Sequence, residues 1–552
     1  MNTLADCLGN IWSKITKPIK TAFFTALISG FVAHLSSITN HLFNHDSILY
    51  TLIDPNSTFS LQQGKWLSQP VNQLLRGDIA ATGIIIPLGI LFLALTASLA
   101  VSILKIRSSL WAGIVGAVHI LFPAVMCANA YFASAIFFFA LLLAALSVFF
   151  TVRYRFGFLA GILLLTLSCG IYSAYIGYAA GLFLLYALLE LVENHRPVGK
   201  ILSSGAIFLL VLIVSAALYY LILQIVLSIK GITLSSYRNI NQIGEFSLSA
   251  LPRLMIQTYK KVFYYLIYGV FIFQGEFQID FVFRAMNWCL LGCSAALCFV
   301  LTLKTGCIRK IGRIALSLLL IGVFPLAIHV IAVLGKNADT HWIMCYPFVL
   351  IYLIPVLFAD RLELLSGSEP AVIPAKPGAF RIVVRTGAIC VLVFSTLLLR
   401  QWYFIANQGY DFLRQADQNA ISAGTMLVSD LRDFEGYTAS TPVLFAGSAA
   451  PEAFQYTTGH FTQVAGHGGN GYTGLRLPIT DMKHLQILLQ NYIGVSIVYA
   501  DDEVAARINN SEEVAAMPVY PAEGSIRQID GCLVVKLSDI TPANGEPVIP
   551  HD

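Results

Sequence analysis

Charged residues are scarce in this sequence. Only 12% of its 552 residues are charged, whereas 57% are hydrophobic; an ordinary soluble domain has about a quarter charged. This balance is typical of a polytopic membrane protein. The formal net charge of +4 is too small to indicate a nucleic-acid partner, and most Lys and Arg residues flank apolar runs, where they set membrane topology.

Other patterns that would indicate a different class of protein are also missing. The ten cysteines include no CxxC pair and lie mostly in apolar segments, which favours packing thiols over a disulfide framework. The basic N-terminal segment lacks a short apolar region with a cleavage site, so we expect the first span to be retained. There is neither a fixed-period repeat nor a hydrolase nucleophile elbow. The glycine-rich stretch AGHGGNGYTG lacks the Lys-Ser/Thr of a P-loop, which argues against nucleotide binding.

Apolar runs fill the chain as far as Leu399. A span needs about 20 apolar residues, and the sequence predicts about eleven spans. Every short loop assigned to the inside carries Lys or Arg, which puts the N-terminus in the cytoplasm. We predict two short spans hinged near Gly170 over 156–189, and an interfacial helix over Lys260–Phe273. The alternatives are one long helix over 156–189, which would put later basic loops outside, and a span at Lys260–Phe273, which would reverse the orientation of everything after it. The other predicted spans are 21–40, 79–104, two within 108–152 that turn near Cys127–Asn129, 201–228, 285–303, 314–334, 343–358 and 380–399.

The composition changes after Arg400, because the remaining residues are polar enough to fold in water. DFLRQADQNAISAGTMLVSDLRDF predicts a helix, TPVLFAGSA and IGVSIVYA predict buried strands, and GSIRQIDGCLVVKLS predicts a hairpin turning at Asp530-Gly531. We therefore predict a polytopic α-helical membrane domain over 1–400, with its first external loop at 41–78. A C-terminal α/β domain on the outer side follows over 401–552.

The first external loop holds the candidate catalytic residues. Asp46 directly follows the first span, and a carboxylate at the membrane surface can take a proton from an acceptor hydroxyl; a solvated loop acid is the alternative. Asp54 precedes Pro55-Asn56, where turn formation explains it as well. Lys65-Trp66 offers a cation to a phosphate and a ring to a lipid or sugar, although interfacial anchoring has the same pattern.

Two further groups of polar residues are weaker candidates. His41, His45 and Asp46 have a spacing that suits a metal on one helical face, but two histidines and one acid are a weak pattern, so we expect no metal. The predicted outer loops also offer residues to a lipid phosphate, each of which has a headgroup contact as its alternative: Tyr237, Arg238, Lys260, Lys261, Lys336 and His341.

Five motifs, in this order and spacing, resemble a known family across nearly the whole chain. They are HDS at Asp46, GKWL at 64–67, GIYSAY at 170–175, NQGYDFLRQADQNA at 407–420 and MPVYPAEGSIRQIDGCLVVKLS at 517–538. Together they resemble the bacterial O-antigen glucosyltransferases of the type-specific Gtr group, which are similar to GT-C glycosyltransferases. The resemblance implies many spans, an essential acid in the first external loop and a periplasmic C-terminal domain. It also implies a multi-pass protein of the bacterial inner membrane with a cytoplasmic N-terminus.

The resemblance implies a reaction and the residues that perform it. A sugar, usually glucose, is taken from undecaprenyl phosphate and attached to O-antigen or another surface glycan on the periplasmic side. The essential acid falls on Asp46, the Gly-Arg/Lys-Trp box on Gly64-Lys65-Trp66 and the tyrosine of the span motif on Tyr172. Relatives often show two adjacent acids, whereas this chain has Asp46-Ser47, which leaves Asp54 as the nearby second acid.

The sequence thus predicts an inverting glycosyl transfer with Asp46 as general base. A lipid phosphate that leaves as an anion needs cations, for which the candidates are Lys65, Arg238, Lys336 and His341, with Trp66 beside them. No cofactor is expected, since the donor is activated beforehand. A lipid or solute transporter or flippase with an appended domain is the alternative, but the acids lie at the surface and no inverted repeat is visible. A membrane acyltransferase ranks lower, because His119 and His329 lack an adjacent carboxylate.

Overall fold

The structure is a computed structural model that describes residues 12–49, 57–77, 79–194, 196–236, 248–268, 281–334, 341–367, 378–447, 479 and 482–540. Its contacts divide the chain into two units. The first comprises Met1–His41, Leu52–Gly409 and His467–Gly474, and the second comprises Leu42–Thr51, Tyr410–Gly466 and Leu475–Asp552. The short segment after the first span is therefore counted with the C-terminal unit.

Helices dominate the described chain. From the N-terminus they are α1 (Lys17–Thr39), α2 (His45–Leu49), α3 (Phe59–Gln62), α4 (Ser68–Arg76), α5 (Thr82–Ile103), α6 (Ser109–Leu121), α7 (Pro123–Ala130), α8 (Ser134–Arg153), α9 (Gly157–Tyr172), α10 (Ile176–Val192), α11 (Val198–Lys230), α12 (Leu251–Tyr268), α13 (Phe281–Lys304), α14 (Ile311–Ile328), α15 (Val330–Leu334), α16 (Leu353–Gly367) and α17 (Ala379–Asp433). Turns of 3₁₀ helix occupy Ser173–Tyr175, Leu248–Ala250, Cys307–Arg309 and Trp342–Tyr352. Ten helical segments of the described residues are long and apolar enough to cross a membrane. The prediction of a polytopic α-helical membrane protein is confirmed.

An ion-pair cluster, made of Lys105, Glu190, Glu193, Asp360 and Arg361, gathers several helix ends at one face of the first unit. Lys105 Nζ, just after α5, lies 2.8 Å from the carboxylate of Glu190 in α10. Arg361 pairs with Glu193 and, at 2.8 Å, with Asp360. Its guanidinium also donates to the carbonyls of Leu104 and Lys105. Asp360 accepts from the Ser108 N–H at the start of α6, where a negative charge suits the helix dipole.

From this cluster we infer that α9 and α10 cross separately, although together they form one apolar segment, Gly157–Val192. The end of α10 lies at the face of the α5–α6 turn, because Glu190 meets Lys105 there. The α8–α9 turn is placed at the same face if Ser109–Ala130 and Ser134–Arg153, which are each long enough for one span, cross in turn. The 3₁₀ turn Ser173–Tyr175 therefore lies at the opposite face, close to the predicted hinge at Gly170.

The helix α12 contains Lys260 and is not among the described segments that are apolar enough to cross. This agrees with the predicted non-spanning helix as far as Tyr268; residues 269–280 lie outside the described residues. The span predicted at 343–358 begins as the 3₁₀ turn Trp342–Tyr352, which contains Pro347. A proline lacks the N–H that an α-helix interior requires.

The second unit contains a three-stranded mixed sheet, with β1 (Val443–Ala446), β2 (Ile526–Ile529) and β3 (Cys532–Lys536) in the order β1-β3-β2. Strand β3 runs parallel to β1 and antiparallel to β2. The β2–β3 hairpin turns at Asp530-Gly531, whose φ angles of 50° and 77° are those of a type I′ turn, so the predicted hairpin is confirmed. The predicted strand IGVSIVYA contributes only a bridge between Tyr499 and Val443.

Three further helices complete the described chain: α18 (Met482–Ile487), which continues as a π turn over Leu488–Tyr492, α19 (Asp502–Asn509) and α20 (Glu512–Ala515). Residues of β1, β3, α19 and α20 form a buried core, among them Ala446, Val514 and Val534. The helix α17 is continuous over 55 residues, whereas the sequence predicts separate helices at 380–399 and 411–434. No proline separates those two stretches, so the helical hydrogen bonds continue through them.

Candidate functional site

The GKWL box forms the turn between α3 and α4, and Gly64 determines its shape. Gly64 has a φ of +78°, a conformation that residues with side chains rarely adopt. A Cβ at this position would also lie 2.8 Å from the hydroxyl oxygen of Tyr219. The Tyr219 hydroxyl donates to the Gly64 carbonyl at 2.9 Å, which ties the box to α11. The glycine of the box is therefore required both by its backbone angle and by the space around it.

Trp66 packs against the end of α9. The Leu67 N–H donates to the Gly170 carbonyl at 2.9 Å, and a Cβ on Gly170 would lie 2.5 Å from the indole ring of Trp66. The indole nitrogen is buried and has no hydrogen-bond partner among the described residues. Because its ring is packed on the protein, Trp66 is not simply a headgroup anchor. The structure thus joins the GKWL box to the GIYSAY segment.

Lys65 lies against the same segment. Its Nζ donates to Gln63 Oε1 at 2.6 Å and lies 5.7 Å from the ring centroid of Phe137 and 5.5 Å from that of Tyr172. The two rings stack on each other at 4.2 Å, and Tyr172 also contacts Tyr175. Aromatic faces attract a cation without neutralising it. None of these three partners carries a formal charge.

Arg76 is a second cation of the first loop, and the sequence interpretation missed it. It ends α4, which packs against α8 and α9. Its side chain is half-buried, and this burial lowers the pKa of its guanidinium to about 10. A desolvated cation is stabilised by an anion close to it. The pattern that could have revealed Arg76 is the amphipathic stretch SQPVNQLLR directly after the box.

His341 has a different environment from Lys65. Its Nε2 lies 3.2 Å from the Tyr131 hydroxyl, and its Nδ1 accepts from the Ile343 N–H, which caps the 3₁₀ turn that follows. Capping accounts for this histidine, and its role towards a lipid phosphate stays a prediction.

Asp46 belongs to the second unit and lies in the first turn of α2. Asn44 caps this helix, because its Oδ1 accepts from the N–H groups of Asp46 (3.0 Å) and Ser47 (2.8 Å). Ser47 Oγ accepts in return from the Asn44 N–H at 2.7 Å, which completes a capping box. The Asp46 side chain is 44% exposed, and its Oδ1 lies 3.6 Å from His45 Nε2. The carboxylate is therefore held on an ordered turn and remains accessible.

Several predicted positions lie outside the described residues: Asp54, Tyr237, Arg238, Lys336 and the stretch AGHGGNGYTG. Where the structure does describe the chain, no group of three or more His, Cys, Asp or Glu side chains could hold a metal ion. The ring of His41 lies 4.7 Å from that of Phe132, and burial lowers the pKa of this histidine. A reaction without a metal stays a prediction.

Comparison with known proteins identifies the family. A model of the family described as Glucosyl transferase GtrII matches residues 35–352. The match includes Asp46, the Lys65-Trp66 pair, Tyr172 and His341, and it covers more than half of the chain. Searches of curated proteins and of solved structures find no match. With a match of this extent over the membrane spans and the first loop, the chain belongs to the GtrII family of glucosyl transferases.

Proposed function

We propose that this protein transfers glucose from undecaprenyl phosphate to O-antigen or another surface glycan at the periplasmic face of the inner membrane. Family membership makes it a glucosyltransferase, and its apolar helices make it a membrane protein. The observation that carries the finer proposal is the position of Lys65. Its ammonium group is held by an amide oxygen and two aromatic rings, an arrangement suited to an anionic phosphate.

The periplasmic assignment is supported by the charge pattern. The turns at the face of the ion-pair cluster contain Lys105, Arg107, Arg153 and Arg155. Short loops rich in Lys and Arg face the cytoplasm. The turn Ser173–Tyr175, next to Tyr172 and Lys65, lies at the other face and is therefore periplasmic in this proposal.

The proposed reaction is a single displacement at the anomeric carbon. An acceptor hydroxyl attacks from the side opposite the phosphate; the new glycosidic C–O bond forms as the bond to the phosphate oxygen breaks. Asp46 takes the hydroxyl proton, and undecaprenyl phosphate leaves with the bonding electron pair. Lys65, with Arg76, stabilises the charge that grows on the departing phosphate. No cofactor is needed for this displacement, because the sugar is already joined to a good leaving group.

The first test removes the cation. Lys65→Met keeps the length of the side chain but loses its charge, and we expect transfer to fall about a hundredfold, the magnitude typical of one lost donor to a developing anion. The measurement is transfer of labelled glucose from undecaprenyl phosphate to O-antigen in membranes with matched amounts of protein. Lys230→Met, at the exposed end of α11, is the control and should leave the rate unchanged. Equal rates in the two variants would remove Lys65 from the site.

The second test concerns the base. Asp46→Asn keeps the size of the side chain but cannot accept the proton, so transfer should fall about a thousandfold, within the range for a lost general base. Expression and membrane insertion should not change. Full residual activity in the same assay would exclude Asp46 as the base.

A further inference from the structure

The segment that carries Asp46 is built into the second unit by an unusual buried contact. The Phe43 N–H donates to Oδ2 of Asp417, at 3.0 Å, and Asp417 lies on α17, far along the chain. Phe43 is fully buried, and its ring lies 4.4 Å from that of Tyr492. The helix α2 packs against α18. The segment therefore has both a polar and an aromatic attachment within the second unit.

Asp417 is buried, and burial of a carboxyl group lowers the stability of the folded state. It is 5% exposed, and its Oδ1 is buried with no hydrogen-bond partner among the described residues. A buried carboxyl group destabilises a protein unless its hydrogen bonds compensate. The bond that Asp417 does make is to the backbone three residues before Asp46. Because it is buried, Asp417 cannot itself contact a glycan in this conformation.

The aromatic attachment depends on an irregular turn. Residues Leu488–Tyr492 form a π turn at the end of α18, and such turns contain one residue more than an α-helical turn. Tyr492 is the last residue of this turn and contacts Phe43. Phe43 in turn precedes Asn44, the residue that caps α2. The attachments to Tyr492 and Asp417 thus converge on the residue that leads into the turn of Asp46.

We propose that Asp417 is a positioning residue for Asp46, which it serves by fixing the segment 42–49 through the Phe43 N–H. This inference rests on the proposed role of Asp46 as general base. It assigns to the C-terminal unit a part in holding the base, in addition to any contact with the glycan. A residue that positions the base affects the rate of the chemical step more than the binding of the donor.

Hydrogen exchange of the full-length protein in nanodiscs tests the attachment without reference to activity. Asp417→Ala should speed exchange in peptides that cover 42–49 by about ten- to a hundredfold, because it leaves the buried Phe43 N–H without its acceptor. Asp417→Asn keeps an acceptor oxygen, so its exchange should stay within about threefold of the native protein. Peptides of the β2–β3 hairpin report whether the unit remains folded.

Asp430→Ala is the matched control, because Asp430 lies on the same helix and accepts from the Tyr520 hydroxyl at 2.7 Å. It removes a carboxylate of the second unit without touching 42–49, so exchange there should not change. Tyr492→Leu loses the ring contact and keeps the bond to Asp417. Tyr492→Leu should also speed exchange in peptides that cover 42–49, but by less than Asp417→Ala. It takes the place of Asp417→Ala in this test if that variant does not fold.

Kinetics test the positioning role. Asp417→Ala should lower kcat by about ten- to a hundredfold with the donor KM within about threefold, and Asp417→Asn should restore most of kcat. Unchanged exchange at 42–49 overturns the attachment, whatever Asp46→Asn does. Faster exchange with unchanged kcat overturns the positioning role and leaves Asp46 as the base. A fully active Asp46→Asn variant overturns the proposed function instead, and the exchange result then still reports on the attachment.

Discussion

In the first unit, the ion-pair cluster and the surroundings of Lys65 differ in the kinds of group that contact each charged side chain. In the ion-pair cluster, Arg361 meets the carboxylates of Glu193 and Asp360 as well as two backbone carbonyls. At the other face, Lys65 meets an amide oxygen and two rings. The cluster has cations and anions in contact, whereas these contacts of Lys65 are with neutral groups that orient its ammonium group.

This difference separates structural charges from charges available to a ligand. Removing one member of a buried ion pair leaves the other charge uncompensated, which destabilises the fold. The ring contacts of Lys65 are weaker than a buried ion pair, so we expect its removal to reduce transfer more than the stability of the fold. Stability and activity therefore respond differently at the two faces, and each of the following variants tests that expectation.

The largest effect is expected from Arg361→Met. It leaves Glu193 and Asp360 without their cation, at a cost of about 3–5 kcal/mol in the free energy of unfolding. The amount of folded protein and its thermal unfolding in detergent measure this loss. Transfer per folded molecule should stay close to that of the native protein. Arg385→Met, an exposed arginine of α17, is the control; equal stability of the two variants would contradict the structural role of the cluster.

An intermediate effect is expected from Gly170→Ala. The added methyl group would lie 2.5 Å from the Trp66 ring, so the GKWL box must shift. Overpacking of this kind costs about 1–3 kcal/mol, and we expect transfer to fall about tenfold with a raised donor KM. Gly205→Ala on α11 has open space around the new Cβ and should be tolerated. Transfer kinetics of both variants measure the contrast, and an unaffected Gly170→Ala variant would show that the position of Trp66 is unimportant.

The smallest effect is expected from Tyr172→Phe, which keeps the ring over which Lys65 lies. Transfer should stay within about threefold of the native rate, because the attraction of a cation to an aromatic face does not need the hydroxyl. Tyr172→Leu removes the aromatic ring. The transfer rate should then fall about five- to tenfold, which corresponds to the usual strength of a cation–π interaction. If Phe and Leu reduce the rate equally, the hydroxyl and not the ring is what matters at Tyr172.

The sequence predicted what depends on local patterns. Apolar runs flanked by basic residues located the spans, and Asp530-Gly531 located the hairpin, because both features are encoded by neighbouring residues. The contact of Trp66 with Gly170 and that of Phe43 with Asp417 join distant parts of the chain, so no spacing rule could reveal them. The continuity of α17 was missed because the change of composition at Arg400 was interpreted as a change of element.

The guanidinium of Arg361 has a mechanical consequence for this unit. It binds the carbonyls that end α5 and, through Asp360 and Glu193, reaches the start of α6 and the end of α10. Helices that are joined at one end can move apart by tilting about that end. The largest displacement then falls at the other end of these helices, beside Tyr172, which is the end where we propose that the lipid donor binds.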